Sequence, residues 1–315
     1  MGLAEEIKQK AFQLGFDLAG IADASPLDSK QFKLFTDWLA FGYAGRMDYM
    51  RDNLDKRTNP AKLFKNAQSI ICLGLNYTPP KTQKKATTSA GPMGTVANYA
   101  RYEDYHPFIK KQLRKLTDFI ASSVGTGFRF KICVDSAPLA ERTLAARAGL
   151  GFIGKNRMLI NPRLGPQLLL AEIVTSLKLP TDEPINAGCS NCNKCLTACP
   201  TGALMPDGHF DANKCISYLT IEYKGEIPPD LAKKIGARLF GCDECVLACP
   251  HQTNAPVCKN RQFKFYNDRA KLNLHQILSM SEDDFETKFA DSAFLRLGLD
   301  RLKRNAQTCL DNITP

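Results

Sequence analysis

The sequence predicts an α+β protein in three successive parts: a mixed α/β domain over residues 1–180, a small cysteine-dense domain over 181–258, and a short helical C-terminal tail over 259–315. Helix-like and strand-like apolar patterns alternate as far as Leu177. Composition changes at Pro180, after which the chain is rich in loops and cysteine. Beyond Cys258 the pattern is mostly helical.

The first helix spans Leu3–Leu14, with Leu3, Ile7, Ala11 and Leu14 on one face and Gly15 as its C-cap. A strand follows over Phe16–Ala22, then a helix over Ser29–Ala40 with Ser29 as N-cap. Ser69–Tyr77 is an apolar run of strand length, expected to be buried on both faces. Thr78–Thr95 is a loop of Pro, Lys, Thr, Ser and Gly that either covers a site or joins two elements. Pro107 suits the first turn of a helix ending near Ser123, with Ile109, Leu113, Leu116 and Ile120 on one face. Phe128–Val134 alternates as a strand and ends at Asp135. Ser136 is then expected to cap a helix that runs to Ala148 and stops at Gly149. Leu168–Leu177 is the last strand of this part.

Twelve cysteines are many for 315 residues. The N-terminus, Met1 to Lys8, is acidic and lacks the apolar segment of a signal peptide. No apolar run is long enough to span a bilayer. The expectation is therefore a cytoplasmic protein with no membrane partner, whose clustered thiols are metal ligands before they are disulfides.

Eight of the cysteines form two motifs and a bridge. Cys189-x2-Cys192-x2-Cys195-x3-Cys199-Pro200 has the bacterial ferredoxin spacing, in which the fourth cysteine reaches the other cluster. Cys242-x2-Cys245-x3-Cys249-Pro250 lacks its first cysteine, because that position is Leu239. Cys215, between the motifs, is the natural substitute. Two [4Fe–4S] clusters then close: one on Cys189, Cys192, Cys195 and Cys249, the other on Cys199, Cys215, Cys242 and Cys245. A pair of four-cysteine zinc sites is the rival reading, though the doubled Cys-x3-Cys-Pro ending favours clusters. Of the remaining cysteines, Cys72 lies in an apolar run and reads as packing.

Clusters supply electrons, so the N-terminal part should hold an acceptor. Asp135, where a strand yields to a helix, could donate a proton if burial raised its pKa. By spacing alone, an ordinary helix cap is the better reading of it. Gly149-x-Gly151-x2-Gly154 resembles a dinucleotide loop but follows a helix, the wrong context. It reads as a turn able to line another cofactor. His106, His209, His251 and His275 are not spaced as metal pairs, so they are assigned to hydrogen bonding or the surface. Basic and aromatic residues interleave over Lys259–Tyr266 and Tyr99–Tyr102, as in nucleic-acid contacts and equally in amphipathic faces. A formal net charge of +10 points to a polyanionic partner.

Most of the chain resembles the epoxyqueuosine reductases, which complete queuosine synthesis in tRNA. The resemblance rests on Lys56-Arg57-Thr58-Asn59-Pro60, Asp104-Tyr105-His106, Val134 to Pro138, Ala148 to Phe152 with Lys155-Asn156, and Glu172 in its strand. It continues through Cys199 to Leu204, Cys215 to Thr220, Gly241-Cys242-Asp243 and Arg304-Asn305-Ala306. It departs at Asn98-Tyr99-Ala100-Arg101-Tyr102, where the family often reads Arg-Tyr-Ala-Trp-Gly, and many members continue into C-terminal helical repeats. The resemblance implies a cobalamin bound between the N-terminal and ferredoxin-like domains. It also implies reduction of the epoxide on the wobble nucleoside of tRNA, with the anticodon stem-loop as partner and an external low-potential electron donor. It further implies Asp135 as proton donor, Arg57, Asn156, Arg157 and Ser217 near the corrin, and Lys224 near RNA. A monomer is expected.

Three rivals remain: a two-cluster electron carrier, a nucleic-acid-binding protein with structural clusters, and a corrinoid reductase of small molecules such as a dehalogenase. The 180 residues before the clusters exceed what a carrier needs. The net charge disfavours a small-molecule reductase.

Overall fold

The computed structural model describes residues 2–80, 91–125 and 127–313. The strands Leu18–Asp23, Ser69–Asn76, Leu168–Thr175 and Phe130–Cys133 lie side by side in that order. Every pairing is antiparallel, with Ile21 opposite Ile71, Leu73 opposite Ala171 and Cys133 opposite Glu172. The alternation of helix and strand therefore does not produce parallel crossovers.

Both faces of this sheet are covered. On one face the helices Leu3–Gln13 and Tyr105–Val124 lay Ile7, Ala11, Ile109, Leu113, Leu116 and Ile120 against Ile71, Leu73 and Ile173. On the other, Leu144, Ala145 and Ala148 of the Glu141–Arg147 helix and the turn after it meet Ile70, Cys72, Cys133 and Val174. This double cover is why Ser69–Asn76 is buried at every position. Gly20 permits the close approach: a Cβ there would lie 2.1 Å from the Ala148 carbonyl oxygen.

Several local expectations shift. Asp28, not Ser29, caps the Ser29–Ala40 helix, accepting the Gln31 N–H at 2.8 Å. The strand before Asp135 is only Phe130–Cys133. Ser136 caps nothing, and the following helix begins at Glu141. Residues 81–90 of the expected Thr78–Thr95 loop lie outside the described residues, and Met93–Val96 is a strand.

The second core does not follow chain order. Met93–Val96 pairs in parallel with Arg238–Phe240 and antiparallel with Lys271–Asn273. Helix Leu299–Ile313 packs Leu302, Ala306 and Cys309 into a core that also holds Ala212, Leu219, Leu239 and Phe294. Residues beyond Lys271 thus share an interior with the cysteine-bearing segment instead of trailing from it. Asn305 fixes the join, donating to the carbonyls of Thr220 at 2.8 Å and Leu239 at 3.1 Å. Arg304 donates to those of Tyr223, Gly225 and Leu219.

Candidate active site

The cysteines gather into two groups of four. Cys189, Cys192, Cys195 and Cys249 line a cavity of about 210 Å³. Cys199, Cys215, Cys242 and Cys245 form part of the wall of a second cavity, of about 690 Å³. These are the crossed quartets expected from spacing, with the last cysteine of each motif in the other's group.

The donor set fits iron–sulfur clusters. The Lys155 N–H reaches Cys189 Sγ at 3.3 Å. Backbone N–H groups of Thr201, Ala203 and Leu204 face Cys199, and those of Ser217 and Tyr218 face Cys215. Such donors stabilise sulfur that carries negative charge. Among the described residues no three metal-binding side chains converge as they would on one ion. Four thiolates around a single zinc, at Zn–S of about 2.3 Å, would have to crowd together. Thiols spread around a cavity suit a larger cuboidal group.

The larger cavity brings together Asp135, Asn156, Arg157, Ser217 and Lys224, all expected site residues. Arg57 is not part of its wall. It stands behind Tyr49, whose carbonyl its guanidinium meets at 3.5 Å, and it still feels the charges of Asp135 and Glu141. Asn156 spans the two thiol groups: it lines both cavities, and its amide donates to the Cys245 carbonyl at 3.2 Å. The glycine-rich turn is a packing device. A Cβ on Gly151 would lie 2.5 Å from the Ile160 carbonyl oxygen, so the turn closes on its own hairpin and cradles no phosphate.

Asp135 is not a helix cap. Its φ is +56°, a left-handed conformation that few non-glycine residues adopt. Arg157, on the same cavity, shares this feature at +63°. The turn aims the Asp135 carboxylate at His106 Nε2, 3.2 Å away, with Arg296 at 3.5 Å. His106 Nδ1 lies 2.7 Å from Asp104 Oδ1. Burial raises the Asp135 pKa, but His106, Tyr105 and Arg296 oppose it and hold the group below its ordinary value. The condition set from sequence, a raised pKa, is therefore not met at rest. Burial disfavours the His106 cation, yet Asp104 and Asp135 outweigh it and raise the His106 pKa. The two carboxylates thus strengthen the hold of His106, in contact with Asp135, on a proton.

Sequence reasoning missed His106, Arg296 and Glu141 as parts of this wall. Asp104-Tyr105-His106 did signal two of the Asp135 group's neighbours, since the Asp104 side chain caps the helix that carries His106.

Comparison with known proteins points to one family. A family model described as epoxyqueuosine reductase QueG, DUF1730, matches residues 57–136, and one described as a 4Fe-4S double cluster binding domain matches 188–252. An epoxyqueuosine reductase of Vibrio cholerae is 36% identical over 98% of this chain and 83% of its own length. A crystal structure of an epoxyqueuosine reductase with a tRNA-Tyr epoxyqueuosine-modified stem loop superposes with a TM-score of 0.91 at 32% identity, covering 98% of this chain and 81% of the other. A Bacillus subtilis epoxyqueuosine reductase, with its catalytic aspartate loop swung out of the active site, gives 0.90 at 32% identity over the same shares. Among the described residues no helix is long and apolar enough to cross a membrane.

Proposed function

The chain belongs to the epoxyqueuosine reductase family, and from that premise we propose that it reduces epoxyqueuosine to queuosine at the wobble position of tRNA, in the cytoplasm, with electrons from an external low-potential donor. The observation that carries the reading is one shared wall: the Asp135 carboxylate and the thiols of Cys199, Cys215, Cys242 and Cys245 border the same cavity. A redox group seated there would have electrons on one side and an acid on the other.

The two cysteine quartets would hold two [4Fe–4S] clusters, and the larger cavity, with Asn156, Arg157 and Ser217 in its wall, would hold cobalamin. When bound, these groups supply the two electrons of the reduction, one at a time. The protein's own residues do the rest. Asp135, kept in reach by its left-handed turn, passes a proton from His106 to the departing epoxide oxygen. Asp104 holds the imidazole in orientation. Lys224, with Arg142 and Arg301 on the same wall, supplies positive charge for RNA phosphates, consistent with a net charge of +10.

The test is direct. The anaerobically purified protein is incubated with epoxyqueuosine-bearing tRNA and a strong reductant, and the digested nucleosides are read by mass spectrometry. Queuosine is the expected product. Unchanged epoxyqueuosine from protein loaded with both cofactors would return the chain to the electron-carrier reading.

A further inference from the structure

Removing an epoxide oxygen as water takes two electrons and two protons, and Asp135 with His106 accounts for one proton. We propose that Glu141 and Glu172 hold the second between them and that Glu141 delivers it into the cavity. This rests on the reaction proposed above and adds a donor to it.

The geometry carries the argument. Glu172 sits mid-strand between Cys72 and Cys133 and is 0% exposed. Among the described residues no N–H or hydroxyl donor reaches either of its oxygens. A carboxylate so placed would be a buried, unpaired charge, which costs far more than keeping the proton. The side chain turned towards it is Glu141. Glu141 lines the cavity and accepts the Asp135 N–H at 2.7 Å. The two carboxyls thus form a short chain from the sheet interior to the wall that holds Asp135.

The surrounding charges favour a shared proton. Burial first, then the acidic Glu141 and Asp135, push the Glu172 pKa well up. Glu141 feels Asp135, Arg142 and Arg57, and burial pushes it up to about 7. The flanking Cys72 and Cys133 thiols are held protonated by burial and by Glu172, with Arg147 and Lys131 acting on them weakly. Two carboxyls this close, in a site this dry, cannot both ionise cheaply.

The chemistry balances. As the first C–O bond breaks, the oxygen takes a proton through Asp135 and becomes a hydroxyl. As the second breaks and the carbon–carbon double bond forms, that hydroxyl takes the proton of Glu141 and leaves as water. The two electrons come from the reductant through the enzyme's redox groups. The emptied pair, now two adjacent charges, refills from solvent through the cavity.

The test uses the anaerobic holoprotein. Infrared difference spectroscopy should show the carbonyl stretch of a protonated buried carboxylic acid at neutral pH, part of it fading above about 7 as Glu141 ionises and part persisting, and Glu172→Gln should remove the part that persists. The same variant should lose about a hundredfold in kcat, with little change in KM for the tRNA. It should also change the shape of the alkaline limb of the kcat–pH profile, leaving the part that reports His106, whereas a merely structural substitution would leave the whole limb in place. Glu141→Gln keeps an acceptor for the Asp135 N–H but cannot deliver a proton, and it should show the same loss in kcat if Glu172→Gln fails to fold, while the Glu172 carbonyl band remains. A wild-type protein with no such carbonyl band, or variants with the wild-type pH profile, would overturn the inference. Because the band is read without turnover, a wild-type enzyme that shows it yet leaves the tRNA unreduced would strike the proposed function alone.

Discussion

His106 Nε2 lies 3.2 Å from Asp135 Oδ2, and the opposite ring nitrogen lies 2.7 Å from Asp104. The imidazole is thus held between two carboxylates, with the Arg296 guanidinium 3.0 Å from Nε2. The two carboxylates favour a proton on this ring while the donor-only guanidinium opposes one on Nε2, and Asp135 is the one of the two carboxylates that also borders the cavity. In the proposed reaction Asp135 acts as an acid through its neighbour, although its own pKa is held low.

Asp135→Ala is expected to abolish queuosine formation while leaving cobalamin bound, since the remaining wall keeps Asn156, Arg157 and Ser217. Nucleoside mass spectrometry measures the first and the corrinoid absorbance of the purified protein the second. Normal turnover in this variant would remove Asp135 from the chemistry.

His106→Gln is expected to lower kcat by a factor on the order of 10²–10³ with little change in tRNA affinity, because the proton source is lost and the cavity is not. The turnover-against-pH curve should also lose the limb that reports the His106 group, whose pKa is raised by Asp104 and Asp135. Steady-state kinetics from pH 5.5 to 8.5 (a range around the ordinary histidine value) would read both.

Cys249→Ser tests the crossed ligation. Cys249 belongs by sequence to the second motif but shares its cavity with Cys189, Cys192 and Cys195. The substitution should weaken the cluster of the first motif and spare that on Cys199, Cys215, Cys242 and Cys245. Iron content and electron paramagnetic resonance of Cys249→Ser beside Cys215→Ser would distinguish the two clusters. Identical spectra from the two variants would undo the assignment.

Both quartets were legible in the sequence because cluster ligation forces short, fixed cysteine spacing. The four strands of the larger sheet were legible from apolar runs or alternation, whereas Met93–Val96, Arg238–Phe240 and Lys271–Asn273 were not, being short and paired across the chain. Spacing alone reads Asp135 as a cap because its turn, at φ +56°, depends on Glu141 taking its N–H and on His106 and Arg296 facing its carboxylate. Glu141 is six residues on, but His106 and Arg296 come from 29 and 161 residues away, and no local pattern encodes those two. The C-terminal helices looked like a tail for the same reason: the partners of Asn305 are Thr220 and Leu239.

Asn305→Ala is expected to destabilise the protein by about 1–3 kcal/mol, leaving two buried carbonyls without donors. The denaturant midpoint should fall and the larger core should loosen with it, since Asn305 ties helix Leu299–Ile313 to the segment that carries Cys215 and Cys242. A midpoint equal to that of the wild type would mean that solvent reaches those carbonyls.

The stability of the His106 group should depend on pH in a defined direction. Its folded-state pKa lies above the ordinary 6.5, so the protonated ring's contribution is complete below that value and is lost as pH rises through the raised one. Asp104 and Asp135 lie below the ordinary 3.8, so their contribution is present above that value and is lost as pH falls through the lowered ones. The group therefore stabilises the fold most between about pH 4 and 6.5. Glu141, raised to about 7, adds a further fall in stability between its ordinary 4.5 and that value, because the unfolded chain ionises first. Thermal midpoints of the anaerobic holoprotein should consequently decline from pH 6 towards 8, and His106→Gln should flatten that slope. An equal slope in the two proteins would show that the imidazole carries no extra proton in the folded state.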